Sequence, residues 1–195
     1  MITKGVGDEM NNFKRILEDN PIVAAVKDEK ELDLALQSDI QVIFILFGDI
    51  LNIKNLSEKI FKHRKIGILH VDLVEGISSK EIALKFIKEN TKFQGIISTK
   101  PQMIRMGKKL GFIAIQRVFM IDSLSKENMK NHLVEECDAV EILPGLLFKI
   151  IKELSISLNK PLIAGGLISD KEDVMETLKS GATCISTTKK EIWYM

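Results

Sequence analysis

Short apolar runs rich in β-branched residues recur along the chain at near-regular spacing: Pro21–Val26, Gln41–Phe47, Ile66–Leu73, Phe93–Ser98, Phe112–Phe119, Ala139–Leu143, Pro161–Ala164 and Ala182–Thr187. They are apolar nearly throughout, the pattern of strands buried on both faces. Between them charged residues fall at helical spacing, as over Ser79–Asn90 and Lys171–Ser180. Asp28 with Glu31, Ser78 with Glu81 and Ser169 with Glu172 are spaced as capping boxes, in which side chain and backbone satisfy each other at a helix start. Pro101 opens one helix and Gly111 follows its end; Gly181 plays the same closing role before the last run.

Strand and helix alternate through eight units, which implies a parallel sheet, and a count of eight predicts closure into a (β/α)8 TIM barrel of the α/β class. The chain has 195 residues, fewer than the roughly 250 typical of such barrels, so little length is left for a lid. Residues 1–20 read as an N-terminal extension with a short helix, Asn12–Glu18, expected to plug the bottom of a barrel formed by residues 21–195.

Composition adds exclusions more than assignments. Hydrophobic residues make up 45% and charged residues 28%, ordinary for a globular protein, and the net charge is +1. Nucleic-acid binding therefore needs a local basic patch, or a dimer that doubles one. Homo-oligomerisation is left open. Cys137 and Cys184 sit in no metal-ligand spacing and read as buried small hydrophobes in a reducing compartment. No metal or cofactor is expected. Residues 1–20 lack the apolar core of a signal peptide, and the longest apolar run, Val42–Phe47, is far shorter than the roughly 18 residues of a membrane helix, so the expectation is a cytoplasmic protein without a membrane partner.

Polar residues late in the strands carry the candidate chemistry, because the C-terminal mouth is where such barrels keep their sites. Strand three supplies His70 and Asp72, two apart and so on one face. Strand five supplies Gln116 and Arg117, adjacent and so on opposite faces, and strand six supplies Glu141 before Pro144-Gly145. Strand four ends in Ser98-Thr99-Lys100. After strand seven, Gly165-Gly166 lets backbone N–H groups approach an anion. After strand eight come Ser186 and Thr187, and Thr188 with Glu191 predicts a short helix whose N-terminus favours phosphate.

The motifs His70-Val71-Asp72-Leu73, Gly95 to Thr99, Ala114-Ile115-Gln116-Arg117-Val118-Phe119 with Asp122-Ser123, Glu141-Ile142-Leu143-Pro144-Gly145, Pro161 to Ile168 and Gly181 to Thr188, ending at Trp193, resemble the glycerol uptake operon antiterminator regulatory proteins over roughly residues 20–195. The resemblance implies a regulator and not an enzyme. Its effector would be glycerol 3-phosphate, and its partner the leader mRNA of a glycerol-utilisation operon, where it lets transcription pass a terminator. The phosphate would sit on Gly165, Gly166, Ser186 and Thr187, and the glycerol hydroxyls would meet some of His70, Asp72, Gln116, Arg117 and Glu141.

Two further readings stay open from the residues alone. One is a barrel enzyme acting on a triose or glycerol phosphate, with Asp72 and Glu141 as acid and base, Arg117 stabilising an anion and Lys100 as a Schiff-base lysine. The other is a barrel that binds a prenyl or nucleotide phosphate. For RNA, two basic clusters are candidates: Lys59, Lys62, His63, Arg64 and Lys65, and Arg105, Lys108 and Lys109. No RRM or KH signature is present.

Overall fold

In the computed structural model, which describes residues 6–122, 125, 127, 129 and 132–195, eight parallel strands close into a barrel in the order β1 to β8. The strands are β1 (Ile22–Val26), β2 (Val42–Ile45), β3 (Ile66–His70), β4 (Gly95–Ser98), β5 (Ile113–Phe119), β6 (Ala139–Leu143), β7 (Leu162–Gly165) and β8 (Cys184–Thr187). Among the helices are α1 (Val6–Asp19), α2 (Glu29–Gln37), α3 (Ile53–Lys62), α4 (Glu81–Asn90), α5 (Pro101–Lys109), α6 (Phe148–Ser157) and α7 (Lys171–Lys179). All eight apolar runs are strands. The first five residues of the N-terminal extension, and Ser123 of the Asp122-Ser123 motif, lie outside the described residues.

Alternate residues of each strand face opposite sides, and this period sorts the core into two parts. One set, including Ala24, Ile43, Leu69, Ile96, Ala114 and Ile185, packs under the helices. The other, including Val23, Phe44, Ile68, Ile115, Ile163 and Cys184, fills the barrel interior. Helix α1 is longer than the expected Asn12–Glu18, and it does close the bottom: Phe13 and Leu17, four apart and so on one face, are buried within the interior cluster.

Helix starts are where the sequence reading slips. Asp28 caps α2 as expected, accepting the Glu31 N–H at 2.8 Å, while the Glu31 carboxylate accepts the Lys27 N–H at 2.9 Å. The Ser169 box is displaced by one residue. Asp170 is the cap of α7 and accepts the Asp173 N–H at 2.9 Å; the Asp173 carboxylate accepts from both the Ser169 N–H and its hydroxyl. At α4, Lys80 occupies the cap and makes no side-chain capping bond, so Ser78 does not cap that helix. Pro101 opens α5, and Gly111 (φ +74°) follows its end.

Helix α3 ends in a hydrogen-bonded left-handed turn: the Arg64 N–H donates to Phe61 O at 2.9 Å and the Lys65 N–H to Ile60 O at 3.3 Å. This closure places its left-handed residue where glycine is usual, yet Arg64 holds it, at φ +57°. A left-handed backbone costs an L-residue about 1 kcal/mol.

Candidate functional site

The site follows from the two-residue period. Ile68, Ile115, Ala139, Ile163 and Cys184 belong to the apolar interior. Two residues further along the same strands stand His70, Arg117, Glu141, Gly165 and Ser186. The barrel is thus apolar through its middle and polar in its last layer before the mouth.

That layer is wired together around Glu141, which is fully buried. Arg117 and Glu141 are register partners on β5 and β6, and the Arg117 Nε donates to Glu141 Oε2. Ser186 Oγ donates to Glu141 Oε1 at 2.5 Å. Both carboxylate oxygens are therefore engaged. Gly165, paired with Ser186 across β7 and β8, makes this possible: a Cβ there would lie 2.6 Å from Ser186 Oγ and 2.8 Å from Glu141 Oε1. Its lack of a side chain serves close approach, and it need not bare a backbone to ligand.

His70 is buried, and its Nδ1 has no hydrogen-bond partner among the described residues. Burial, aided by the Arg117 cation and opposed by Asp72, pushes the imidazole pKa down to about 4. At neutral pH it is an uncharged ring with an unused polar atom, a cost the fold carries without return from its own groups.

Above the polar layer opens a cavity of about 340 Å³, bordered by Arg117, Glu141, Gly166, Leu167, Ser186 and Lys189. Gly166 (φ +74°) and Leu167 (φ +64°) form a left-handed pair that turns the chain out of β7. Leu167 is 72% exposed. Thr187 faces the other way from Ser186: its Oγ1 donates to Ile168 O at 3.0 Å and accepts the Lys189 N–H at 3.1 Å, and its carbonyl accepts from Trp193 Nε1 at 3.0 Å. The short helix expected from Thr188 is instead a 3-10 turn, Lys190–Tyr194, without a side-chain cap, because the hydroxyl of Thr187 takes the first free N–H.

Asp72 and Gln116 stand apart from this cluster. β3 stops at His70, and a 3-10 turn over Val71–Leu73 carries Asp72 sideways to β4. Its carboxylate accepts from Ser98 Oγ at 2.9 Å, the Thr99 N–H at 2.7 Å and Thr99 Oγ1 at 3.1 Å, with the Lys100 ammonium 3.7 Å away. Gln116 points away from Arg117, as adjacency predicts. It donates to His132 O at 3.0 Å and accepts the Val134 N–H at 2.7 Å, tying down the β5–β6 connection. Lys100 is half exposed and donates to Ser79 Oγ. The cavity wall also includes Leu167 and Leu46, which the sequence reading did not single out. Apolar residues carry no chemical signal, and only the place of Leu167 after the paired glycines marks it.

The fold also sorts the basic clusters. Lys108 is spent on buried Asp138, at 2.7 and 2.8 Å. The buried Lys65 ammonium donates to Ser38 O and Ile40 O, and Lys59 pairs with Asp33. Among the described residues no helix is long and apolar enough to cross a membrane.

Comparison with known proteins agrees with this architecture. Residues 22–193 match the model of a family described as glycerol-3-phosphate responsive antiterminator. The uncharacterized protein YgcP of Escherichia coli (strain K12) is 40% identical over 179 residues, covering 91% of this chain and 94% of its own. The crystal structure of a glycerol uptake operon antiterminator regulatory protein from Listeria monocytogenes str. 4b F2365 superposes with a TM-score of 0.84 at 32% identity, over 88% of this chain and 94% of that one. That of a glycerol uptake operon antiterminator-related protein from Thermotoga maritima MSB8 gives 0.80 at 29%, over 90% and 99%. With its whole barrel inside the matched span, the chain belongs to the glycerol-3-phosphate responsive antiterminator family.

Proposed function

We propose that this protein senses glycerol 3-phosphate at the mouth of the barrel and, so loaded, binds the leader mRNA of a glycerol-utilisation operon and lets transcription pass a terminator. The observation that carries the reading is the Arg117–Glu141–Ser186 cluster bordering a cavity of about 340 Å³, with the buried, unpartnered His70 Nδ1 in the same strand layer. Small-molecule sites occupy about 300–1,000 Å³ and set a few polar groups among apolar walls. The phosphate would rest on the turn at Gly166 and beside Thr187 to Lys189, and the glycerol hydroxyls would reach down to His70 and the Arg117–Glu141 pair. Asp72, Gln116 and Gly165 would act one step back, holding the rim and the ion pair in place.

Sensing is favoured over catalysis by what the acid–base candidates are doing. Both oxygens of Glu141 and the carboxylate of Asp72 are engaged by donors. Lys100 is half exposed, without the burial that activates a Schiff-base lysine. The ligand can shift the protein toward an RNA-binding state only through its greater affinity for that state.

Calorimetric titration with glycerol 3-phosphate, with glycerol and inorganic phosphate as controls, tests the reading. A saturable isotherm for the ester alone is expected, and leader RNA should then bind more tightly in its presence. Heat that continues after each injection would instead mean turnover. Gly166→Asp, which sets a carboxylate at the phosphate position, should abolish the response to the ester; a normal response from that variant overturns the proposed site.

A further inference from the structure

We infer that the RNA surface lies at the opposite end of the barrel from the effector cavity, on the patch formed by Phe61, Lys62 and Arg64 at the end of α3 with Lys92 and Gln94 from the α4–β4 connection, and that its partner is single-stranded RNA. The inference rests on the proposed function above and adds to it the place of contact.

Two segments distant in sequence meet here. β3 and β4 are neighbours in the barrel, so the connections that lead into them lie side by side. Phe61, Lys62, Arg64, Ile66 and Gln94 line one depression of about 490 Å³. Ile66 and Gln94 also line the adjoining one, of about 400 Å³, which reaches Phe93 and Phe112.

Each group in the patch suits an unpaired strand. Phe61, an aromatic ring in the last turn of α3, is 56% exposed. It is flanked by Lys62 and Arg64, and Lys92, whose N–H donates to Ser57 Oγ of α3 at 2.9 Å, lies beside the same helix; all three are exposed. The Gln94 carboxamide oxygen accepts the Gly67 N–H at 2.8 Å, which leaves its Nε2 hydrogens as donors. An exposed ring between cations stacks a base and neutralises the phosphates on either side of it, the arrangement by which single strands are held.

The backbone supplies an independent argument. Glycine would close α3 without strain, yet the chain places Arg64 at φ +57°. A conformation held against its own preference points to a use for the side chain. The buried neighbour Lys65, by contrast, is explained by structure, since its ammonium satisfies the Ser38 and Ile40 carbonyls. Asp39 stands near Lys65, and Asp138, which borders the adjoining depression, is paired with Lys108.

The test uses the full chain, with and without glycerol 3-phosphate. The probe is the leader transcript upstream of the source organism's glycerol-utilisation genes, made with 5-bromouridine. Affinity, thermal stability and photocross-linked residues are measured for the wild type, Phe61→Ala, Arg64→Gly, Lys62→Ala with Lys92→Ala, and a control on the far side, Lys152→Ala. The expected result is a loss of roughly tenfold in affinity for Phe61→Ala, a similar loss with a shallower salt dependence for the lysine pair, and cross-links within residues 61–65 and 92–94. Arg64→Gly is the decisive variant: it should melt within a few degrees of the wild type and still bind RNA poorly, which a merely structural residue would not do. Wild-type affinity in all the patch variants, with cross-links elsewhere, overturns this surface and leaves the proposed function standing. Absence of RNA binding by the wild type under every condition overturns both. Patch variants that bind RNA normally but lose binding to phosphatidylglycerol vesicles overturn it in favour of a membrane surface.

Discussion

Asp138 at the base of the barrel and Glu141 at its mouth are both buried carboxylates, and they are served differently. At the base Asp138 accepts the Ala114 N–H at 2.8 Å and the Lys108 ammonium, whose side chain is one-fifth exposed. It fastens α5 to the start of β6 and borders no part of the mouth cavity. At the mouth Glu141 is held by Arg117 and Ser186, forms part of the cavity wall, and stands in a layer where His70 keeps an unused nitrogen. A satisfied buried group reports on the fold, and a buried polar atom left without a partner calls for an explanation outside it. On the proposed function, this contrast makes the mouth the responsive end and the base the permanent one.

The largest way to break it is at Glu141. Glu141→Ala leaves the Arg117 guanidinium buried without its anion, and loss of one partner of a buried pair costs about 3–5 kcal/mol. Urea denaturation should show that loss, and glycerol 3-phosphate should fail to restore stability, whereas it should raise the wild type's. A small effect on both measurements would mean that the mouth pair is incidental.

Next is the plug. Leu17 is fully buried in the barrel interior. Leu17→Ala should cost about 3 kcal/mol, within the range of large-to-small core changes. Calorimetry should nevertheless find effector affinity unchanged, because the cavity lies beyond the apolar middle of the barrel. A weakened isotherm would show that the two ends are coupled through the core, and would make the plug part of the sensor.

The pH dependence of the mouth should be smaller. His70 titrates near its ordinary 6.5 when unfolded and near 4 when folded, so between those values the unfolded chain binds the extra proton. Stability then rises with pH through this window and falls as pH drops, by about 2 kcal/mol between pH 6.5 and 5. Denaturation of the wild type and His70→Asn across this range should show the slope shrinking by that amount in the variant. Identical slopes would place His70 in a wetter environment than its burial indicates.

How much of this was legible in the sequence follows the same division between core and rim. The eight strands were readable because residues buried on both faces leave continuous apolar runs, and Gln116 and Arg117 were correctly sent to opposite faces because strand alternation is local. The short helix expected over Asn12–Glu18 was read as the plug, and the structure supplies the residues by which it closes the base, Phe13 and Leu17. The N-caps of α4 and α7 were misplaced because several polar residues stand in a row there, and the choice among them is settled by the tertiary path of the chain. The turn of Asp72 toward β4 was hidden, since it depends on where β3 stops. The opposite duties of Glu141 and Asp138, three residues apart, were hidden too, since both depend on partners from distant strands and helices. Part of the base patch was invisible because Lys92 and Gln94 join Phe61 and Arg64 only through the adjacency of β3 and β4.

The smallest expected effect draws the two ends together. The described chain holds two non-glycine residues in the left-handed region, one at each end: Arg64 at the base and Leu167 at the mouth. Neither position is a place where burial explains the choice, since both side chains are exposed. Replacing each with glycine relieves a backbone cost of about 1 kcal/mol but adds freedom to the unfolded chain, so stability should change by no more than about 1 kcal/mol. Binding should separate the two variants where stability does not. Leu167→Gly removes the apolar wall over the phosphate turn and should weaken glycerol 3-phosphate binding while leaving the RNA affinity of the saturated protein intact; Arg64→Gly should do the reverse. Equal loss of both affinities in either variant would mean that the ends form a single surface, and the division of labour between them would have to be abandoned.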